Sequence, residues 1–492
     1  MSTSLIILVL TVASFLLGFL RDLFIARSFG LSWQADLIFV SLILPLFFEN
    51  FLALALRDAM IPYLQKLRSQ SEELFQNVAR WIYWRVLWAA IAITILIMAI
   101  SYWIMHALAP GWSTEQIELG RLTFCVGSLL LAVQGALYCQ SALLNMDKVF
   151  LLPMTRTVML NAGAIIGILL FEPSGTVIFL GMLLPQLGLI LVQHHRLNYV
   201  QLSHRAQAPA EAKGHGTEFI KVLAPMLLAA AAQQACILAE RMFASFLAEG
   251  SITMLSFAYR IVTIPLTLYA MSVLTVLFPH FTESWNNNDH TAHNAAIRKG
   301  LLATLLFLVP AAVVLSAFPE AVVSVLLERG QFGPQQSEAT SVLLIAYAIS
   351  LPAAGMAMLW GRALLAQHQS RLFLIITLTS SAVTIALDAL LYRPLGAQGL
   401  ALSFSAGISL QALLMGIGIY WVTPQGLGLA LLLRWGVAAV AIAATLHYLP
   451  EPHGLLDLCI YIPLVILSFA ALLKILGEKD LFNRSYWSMK SA

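Results

Sequence analysis

Fourteen stretches of about 20 mostly apolar residues follow one another along the 492-residue chain, each long enough to cross the hydrocarbon of a bilayer as a helix. They cover approximately 3–27, 36–56, 81–107, 119–145, 150–171, 177–198, 219–247, 252–281, 301–327, 337–367, 372–392, 397–421, 427–449 and 455–476. Such a pattern predicts an all-α polytopic membrane protein. The connections are short and leave no room for a soluble catalytic domain. Only 10% of the residues are charged, against roughly 25% in an ordinary soluble domain. No Lys or Arg precedes Arg21 and no small-residue cleavage site follows the first apolar run, so that run reads as a retained helix, not a signal peptide.

Charge asymmetry tests the helix count, because cytoplasmic loops are enriched in Lys and Arg. With the N-terminus inside, the cytoplasmic connections carry Arg57, Lys66, Arg68, Arg80, Lys148, Arg196, Arg205, Lys213, Arg298, Lys299 and Arg371, and the tail adds Lys479, Arg484 and Lys490. The opposite connections carry Glu115, Glu118, Glu172, Glu249, Glu320, Glu328 and Glu451, with few basic residues besides Arg329 and Arg393. The separation predicts fourteen helices with both termini in the cytoplasm. His215, Asp289, His290 and His293 fall in the two longest polar connections and read as solvated loop, since no further metal ligands accompany them. Cys125, Cys139, Cys236 and Cys459 are isolated in apolar sequence and read as buried thiols.

The two halves repeat. A shift of 220 residues places Arg21 on Arg241, Gly30 on Gly250, Phe39 on Tyr259 and Pro45 on Pro265, and a shift of 221 places "QSALLN" (140–145) on "GRALLA" (361–366). Six crossings separate equivalent positions, so the halves share one orientation. The expected domains are an N-lobe (1–198), a cytoplasmic linker (199–218), a C-lobe (219–425), a helix pair (426–476) and a cytoplasmic tail (477–492). Two parallel six-helix lobes around a central cavity are an alternating-access architecture.

A charge in the hydrocarbon is costly, so ionisable residues there normally face a polar cavity or a partner. In the first lobe they are Arg21 and Asp22, then Asp36, then Glu49 beside Asn50; in the second they are Glu240, Arg241 and Arg260, with Gln233 and Gln234 upstream. Arginine suits phosphate, because its planar fork donates two hydrogen bonds and stays charged when desolvated. Arg21 and Arg260 are the candidates to converge on a diphosphate, although Arg21 and Asp22 equally suit a pair that holds helices together. Arg27 and Asp36 suit anchors near a membrane surface, and Asp36 and Glu240 are candidates for gating. Arg156 and Arg434 suit lobe walls and receive no role. Asp388 and Thr384 share a helix face; with Ser403 they offer oxygen ligands to a monovalent cation, or else cap and pack.

"LGFLRDLFIARSFG" (17–30), Asp36, "FVSLILP" (39–45) and "FAYRIVTIP" (257–265) resemble the MurJ (MviN) group of the multidrug/oligosaccharidyl-lipid/polysaccharide exporter superfamily. The resemblance implies a flippase of the bacterial inner membrane, a transporter and not an enzyme, that carries a polyprenyl-diphosphate-linked saccharide from the inner to the outer leaflet. It implies a cationic cavity containing Arg21 and Arg260, a helix 2 aspartate at Asp36, and a groove for the lipid tail at helices 13 and 14. It places the cation site of some members near Asp388, with Na+ or H+ as coupling ion and no other cofactor. Members that flip lipid II usually carry arginines where this chain has Phe15 and Glu49. That departure favours an exopolysaccharide or surface-glycan unit over lipid II, with polysaccharide polymerase or export machinery as partners beside the membrane lipids. No nucleic-acid partner is expected. A cation-coupled small-molecule exporter of the same superfamily is the alternative, followed by an integral-membrane glycosyltransferase or polymerase, which the short loops disfavour. No GxxxxGK[ST] motif is present, which argues against direct ATP hydrolysis.

Overall fold

The computed structural model describes residues 3–54, 60–197, 228, 231–422, 429–446, 452 and 454–475, and among these every regular element is a helix. The expected linker 199–218 and tail 477–492 lie outside the described residues. In chain order the helices are α1 (Thr3–Phe29), α2 (Trp33–Leu54), α3 (Ile61–Gln70), α4 (Glu72–Ala99), α5 (Ser101–Leu108), α6 (Thr114–Met146), α7 (Leu151–Leu170) and α8 (Gly175–Arg196). A helix α9 over 231–244 precedes α10 (Ser251–Tyr269), a π-helical turn Ala270–Leu274, α11 (Thr275–Asn286), α12 (His290–Ala317) and α13 (Pro319–Leu327). Then come α14 (Pro334–Ala348), α15 (Leu351–Ala366), α16 (Ser370–Val422), α17 (Leu429–Leu446) and α18 (Leu455–Ile475). Among the described residues nine helical spans are long and apolar enough to cross a bilayer. The longest, with 53 residues, holds two crossings joined where Gly396 leaves helical geometry at φ 59°, ψ −141°.

The elements follow the expected spans in order, with breaks that apolarity alone does not reveal. Ile100 (φ −105°, ψ 23°) separates α4 from α5 within the expected span 81–107. α4 also begins at Glu72, well before residue 81, because Ser71 accepts the Leu74 N–H and caps it there. Ser113 and Gln116 form a reciprocal capping box at the start of α6, and Ser174 accepts the Val177 N–H at the start of α8. Asp289 caps α12 through the Ala292 N–H. The solvated-loop reading of His293 is corrected: it is fully buried in the first turns of α12, with Nδ1 3.1 Å from Ser284 Oγ and Nε2 2.9 Å from Gln367 Nε2. α3 was expected as loop. Its Leu64 and Leu67 are buried in an apolar cluster with Met60, Phe75, Tyr83, Leu143 and Leu197.

Two compact units emerge. The first comprises 1–253 with 329–332, and the second 254–328 with 333–492. α9 and the turn after it, assigned from the sequence to the second lobe, are grouped with the first unit. Small residues allow close helix packing inside a unit: a Cβ on Gly163 of α7 would lie 2.0 Å from the Gly181 carbonyl oxygen of α8.

The repeat is written in the backbone. Gly30 and Gly250, 220 residues apart, both have positive φ, 58° and 84°. Lys148 and His368, again 220 apart, adopt φ 60° and 59°. Each ends its helix with the same bonds: Lys148 N–H to Asn145 O and Val149 N–H to Leu144 O in one half, His368 N–H to Leu365 O and Gln369 N–H to Leu364 O in the other. The backbone thus keeps the 220-residue shift here, one less than side-chain matching of "QSALLN" to "GRALLA" suggests.

Candidate functional site

In the first unit α1 and α7 hold Arg21. Its Nε and Nη2 donate to Asp22 Oδ1 at 2.9 and 2.7 Å, and its Nη1 donates to Asn161 Oδ1 at 3.1 Å. Asn161 Nδ2 in turn donates to the Ser14 carbonyl at 3.3 Å. A guanidinium in apolar helix sequence needs such partners, and its fork is fixed by two side chains on two helices. The pairing agrees with a residue that holds helices together, and the side chain keeps 11% exposure.

A second polar centre joins α2, α6 and α7. Arg156 Nη2 donates to Glu49 Oε1 at 2.7 Å and to Tyr138 Oη at 2.9 Å, and the guanidinium carbon lies 4.6 Å from the Tyr138 ring centre. Tyr138 Oη also donates to Glu49 Oε1 at 3.0 Å, and Gln134 Nε2 donates to Glu49 Oε2 at 3.3 Å. Arg156 had no role from sequence, yet it is the partner that lets Glu49 sit in an apolar helix. The signal was available: a buried arginine in mid-helix demands a carboxylate, and Glu49 is the acid further along α2. Asn50 lies in α2 beside it.

Asp36, in the first turn of α2, is buried and reaches the start of α10. Its Oδ2 accepts the Gly250 N–H at 2.8 Å, and its Oδ1 accepts the Thr253 N–H at 2.7 Å and the Thr253 hydroxyl at 2.6 Å. The carboxylate thereby satisfies backbone donors that a helix start leaves over. Gly250 is required on two counts: φ is 84°, and a Cβ would lie 2.3 Å from the Leu31 carbonyl oxygen. Arg241 of α9 donates to the Ile252 carbonyl at 2.8 Å, with Glu240 Oε1 3.5 Å from the same nitrogen. Both side chains are buried and brace the turn between α9 and α10. Arg27 is exposed, and its carbonyl accepts the Gln331 N–H at 2.9 Å.

In the second unit Arg260 is half-buried on α10, on the helix face that also carries Thr263 and Thr267. Those threonines line a groove of about 310 Å³ with Ala270, Met271, Thr275 and Met358. Hydroxyls support the π-helical turn beside it, Thr275 donating to the Ala270 carbonyl at 3.2 Å. On α16, Asp388, Thr384 and Ser403 are all buried. The hydroxyls of Thr384 and Ser403 donate to the carbonyls four residues earlier at 2.9 and 2.8 Å, which leaves their oxygen lone pairs for acceptance. A Cβ on Gly407 would meet Thr384 Oγ1, so the two halves of α16 cross closely at this point. Among the described residues no three His, Cys, Asp or Glu side chains cluster as a metal site.

The lipid II flippase MurJ family model matches residues 25–456. A Thermotoga maritima protein named "Probable lipid II flippase MurJ" is 26% identical over 393 residues, covering 79% of each chain. A Bdellovibrio bacteriovorus protein of the same name is 24% identical over 444 residues, covering 86% of this chain and 82% of that one. The solved structure of a lipid II flippase MurJ in an inward closed conformation aligns with TM-score 0.83 at 22% identity, covering 97% of this chain and all of the other. An inward-facing multidrug resistance MATE family transporter of the MOP superfamily aligns with TM-score 0.67 at 17% identity over 82% of this chain and 92% of its own, which shows a shared fold. A family match over residues 25–456, on an all-helical fold, identifies the chain as a member of the MurJ family of multi-pass inner-membrane transporters.

Proposed function

We propose that this protein translocates a polyprenyl-diphosphate-linked saccharide from the inner to the outer leaflet by alternating access. The observation that carries the reading is the Arg21 guanidinium, half-buried on a membrane helix and held by Asp22 and Asn161 with part of its surface accessible. Arg21 and Arg260 are assigned to the diphosphate, and Arg241, Glu49 and Asn50 to the polar surroundings of the path. Asp36 and Glu240 gate it, since the Asp36 carboxylate ties the start of α2 to the start of α10. Asp388, Thr384 and Ser403 are assigned to a monovalent coupling cation, Na+, with H+ as the other candidate.

Lipid II is the first head group to test, because the matching family and the named relatives carry it in their names. The surface-glycan unit favoured from Phe15 and Glu49 finds no support among these relatives. One observation keeps it as the second reading: Glu49 neutralises Arg156, so the first unit has less free positive charge than its arginine count suggests. In that case a polysaccharide polymerase or export complex is the partner. Complementation of a bacterium depleted of its lipid II flippase decides between them. Growth restored by the wild-type chain and lost in Arg21→Ala and Arg260→Ala supports lipid II. Failure to restore growth, together with loss of a surface polysaccharide on gene deletion, supports the glycan. If both arginine variants translocate substrate in proteoliposomes as well as wild type, the flippase reading with these contacts is wrong.

A further inference from the structure

Gln134 of α6 and Gln186 and Gln193 of α8 are all buried, with 1%, 0% and 0% exposure. Contacts between the two helices fix their register. Thr123 Oγ1 lies 3.0 Å from Thr176 Oγ1, and a Cβ on Gly127 would meet the Phe179 ring at 3.2 Å. Seven residues on, two full turns along the same face, Gly127 leads to Gln134 and Phe179 to Gln186; seven more bring Gln193 level with Ser141 of α6. The face of α8 that packs on α7 is a different one, carrying Val177, Gly181 and Pro185. The polar residues therefore line one seam between α6 and α8.

The seam carries unmet hydrogen-bonding capacity. Gln134 Oε1, both amide atoms of Gln186, both amide atoms of Gln193 and Arg156 Nη1 are buried without a protein partner. Buried carboxamides left dry cost more than immobilising a water that bonds them, and such groups in native proteins mark internal water. Gln134 bonds Glu49, which bonds Arg156, so the seam leads from Gln193, three residues before the Arg196 end of α8, to that ion pair.

We propose that the α6–α8 seam binds a file of water that hydrates the Glu49–Arg156 pair and joins it to the aqueous phase at the Arg196 end of α8. The groups that face Glu49 are Tyr138 and Gln134 from α6 and Arg156 from α7. α8 adds no acid or base before His194, His195 and Arg196, and on α1 Arg21 and Asp22 bond each other.

Radiolytic hydroxyl labelling of the purified protein in nanodiscs, read by peptide mass spectrometry, tests the file because bound water is the radical source. Two reporters flank the glutamines: Met182, fully buried four residues before Gln186, and a Leu189→Met variant between Gln186 and Gln193. Met105, equally buried in α5, is the control. Both reporters are expected to label several-fold faster than Met105, and Gln186→Leu with Gln193→Leu to bring them down to its rate. Reporters that label no faster than Met105 in the otherwise wild-type protein overturn the file.

Discussion

At the scale of single residues, the first unit pairs the guanidiniums of Arg21, Arg156 and Arg241 with the carboxylates of Asp22, Glu49 and Glu240. Arg156 is the instructive case, because Glu49, Tyr138 and Gln134 converge on one another around it. Removing one member of a buried pair leaves the other uncompensated and costs about 3–5 kcal/mol, whereas apolar replacement of both is often neutral. Arg156→Ala is therefore expected to lower the unfolding temperature of the detergent-purified protein markedly. Glu49→Met with Arg156→Met should stay close to wild type, and Arg156→Lys should fall between, since lysine lacks the planar fork. A double variant as unstable as Arg156→Ala would contradict this account. The sequence told us that Arg21, Asp22, Asp36 and Glu49 were unusual, but it named few of their partners. Asn161, Gly250 and Thr253 lie more than a hundred residues from the groups they satisfy, and a polar residue in an apolar helix does not reveal its distant partner.

At the scale of elements, the helix pattern was legible because apolar length is a local property. The amphipathic α3 escaped because ten residues is too short for a membrane span. Its energetics follow from what it buries. Arg68 donates to Asp147 at 2.7 Å, and that carboxylate helps hold its pKa above the ordinary value, but the arginine side chain is 35% exposed and solvent screens the pair. Asp147→Ala should thus cost no more than about 1 kcal/mol. Leu64→Ala, at a fully buried position in the apolar cluster, should cost about 2–5 kcal/mol. Chemical denaturation of the two variants side by side checks the ranking, and a larger loss from the charge deletion would reverse the assignment. The helix breaks at Ile100 and Gly396 were equally hidden, since they depend on single dihedral angles inside uninterrupted apolar sequence.

At the scale of the whole molecule, the distribution of Lys and Arg predicts that both termini face the cytoplasm. A fluorescent protein fused after Ala492 is expected to mature and fluoresce, and alkaline phosphatase at the same position to remain inactive; the opposite pattern would shift the helix count by one. The repeat was legible as a shift of 220 residues, and the family could be read from "LGFLRDLFIARSFG" because that motif holds the Arg21–Asp22 pair and the left-handed Gly30. The head group was not legible, because Glu49 is neutralised by Arg156, and their pairing is a matter of three dimensions.

The paired turns at Lys148 and His368 carry one more consequence. Side chains there have diverged completely, Asp147 and Lys148 against Gln367 and His368, while the dihedral angles and the two closing bonds are the same in both copies. What the duplicated halves inherited at these corners is a shape, with the side chains free to drift. Since a left-handed backbone suits glycine, replacing either corner residue by glycine should shift unfolding by no more than about 1 kcal/mol. An ancestral corner of this kind is a site where sequence divergence and structural permanence coexist without conflict.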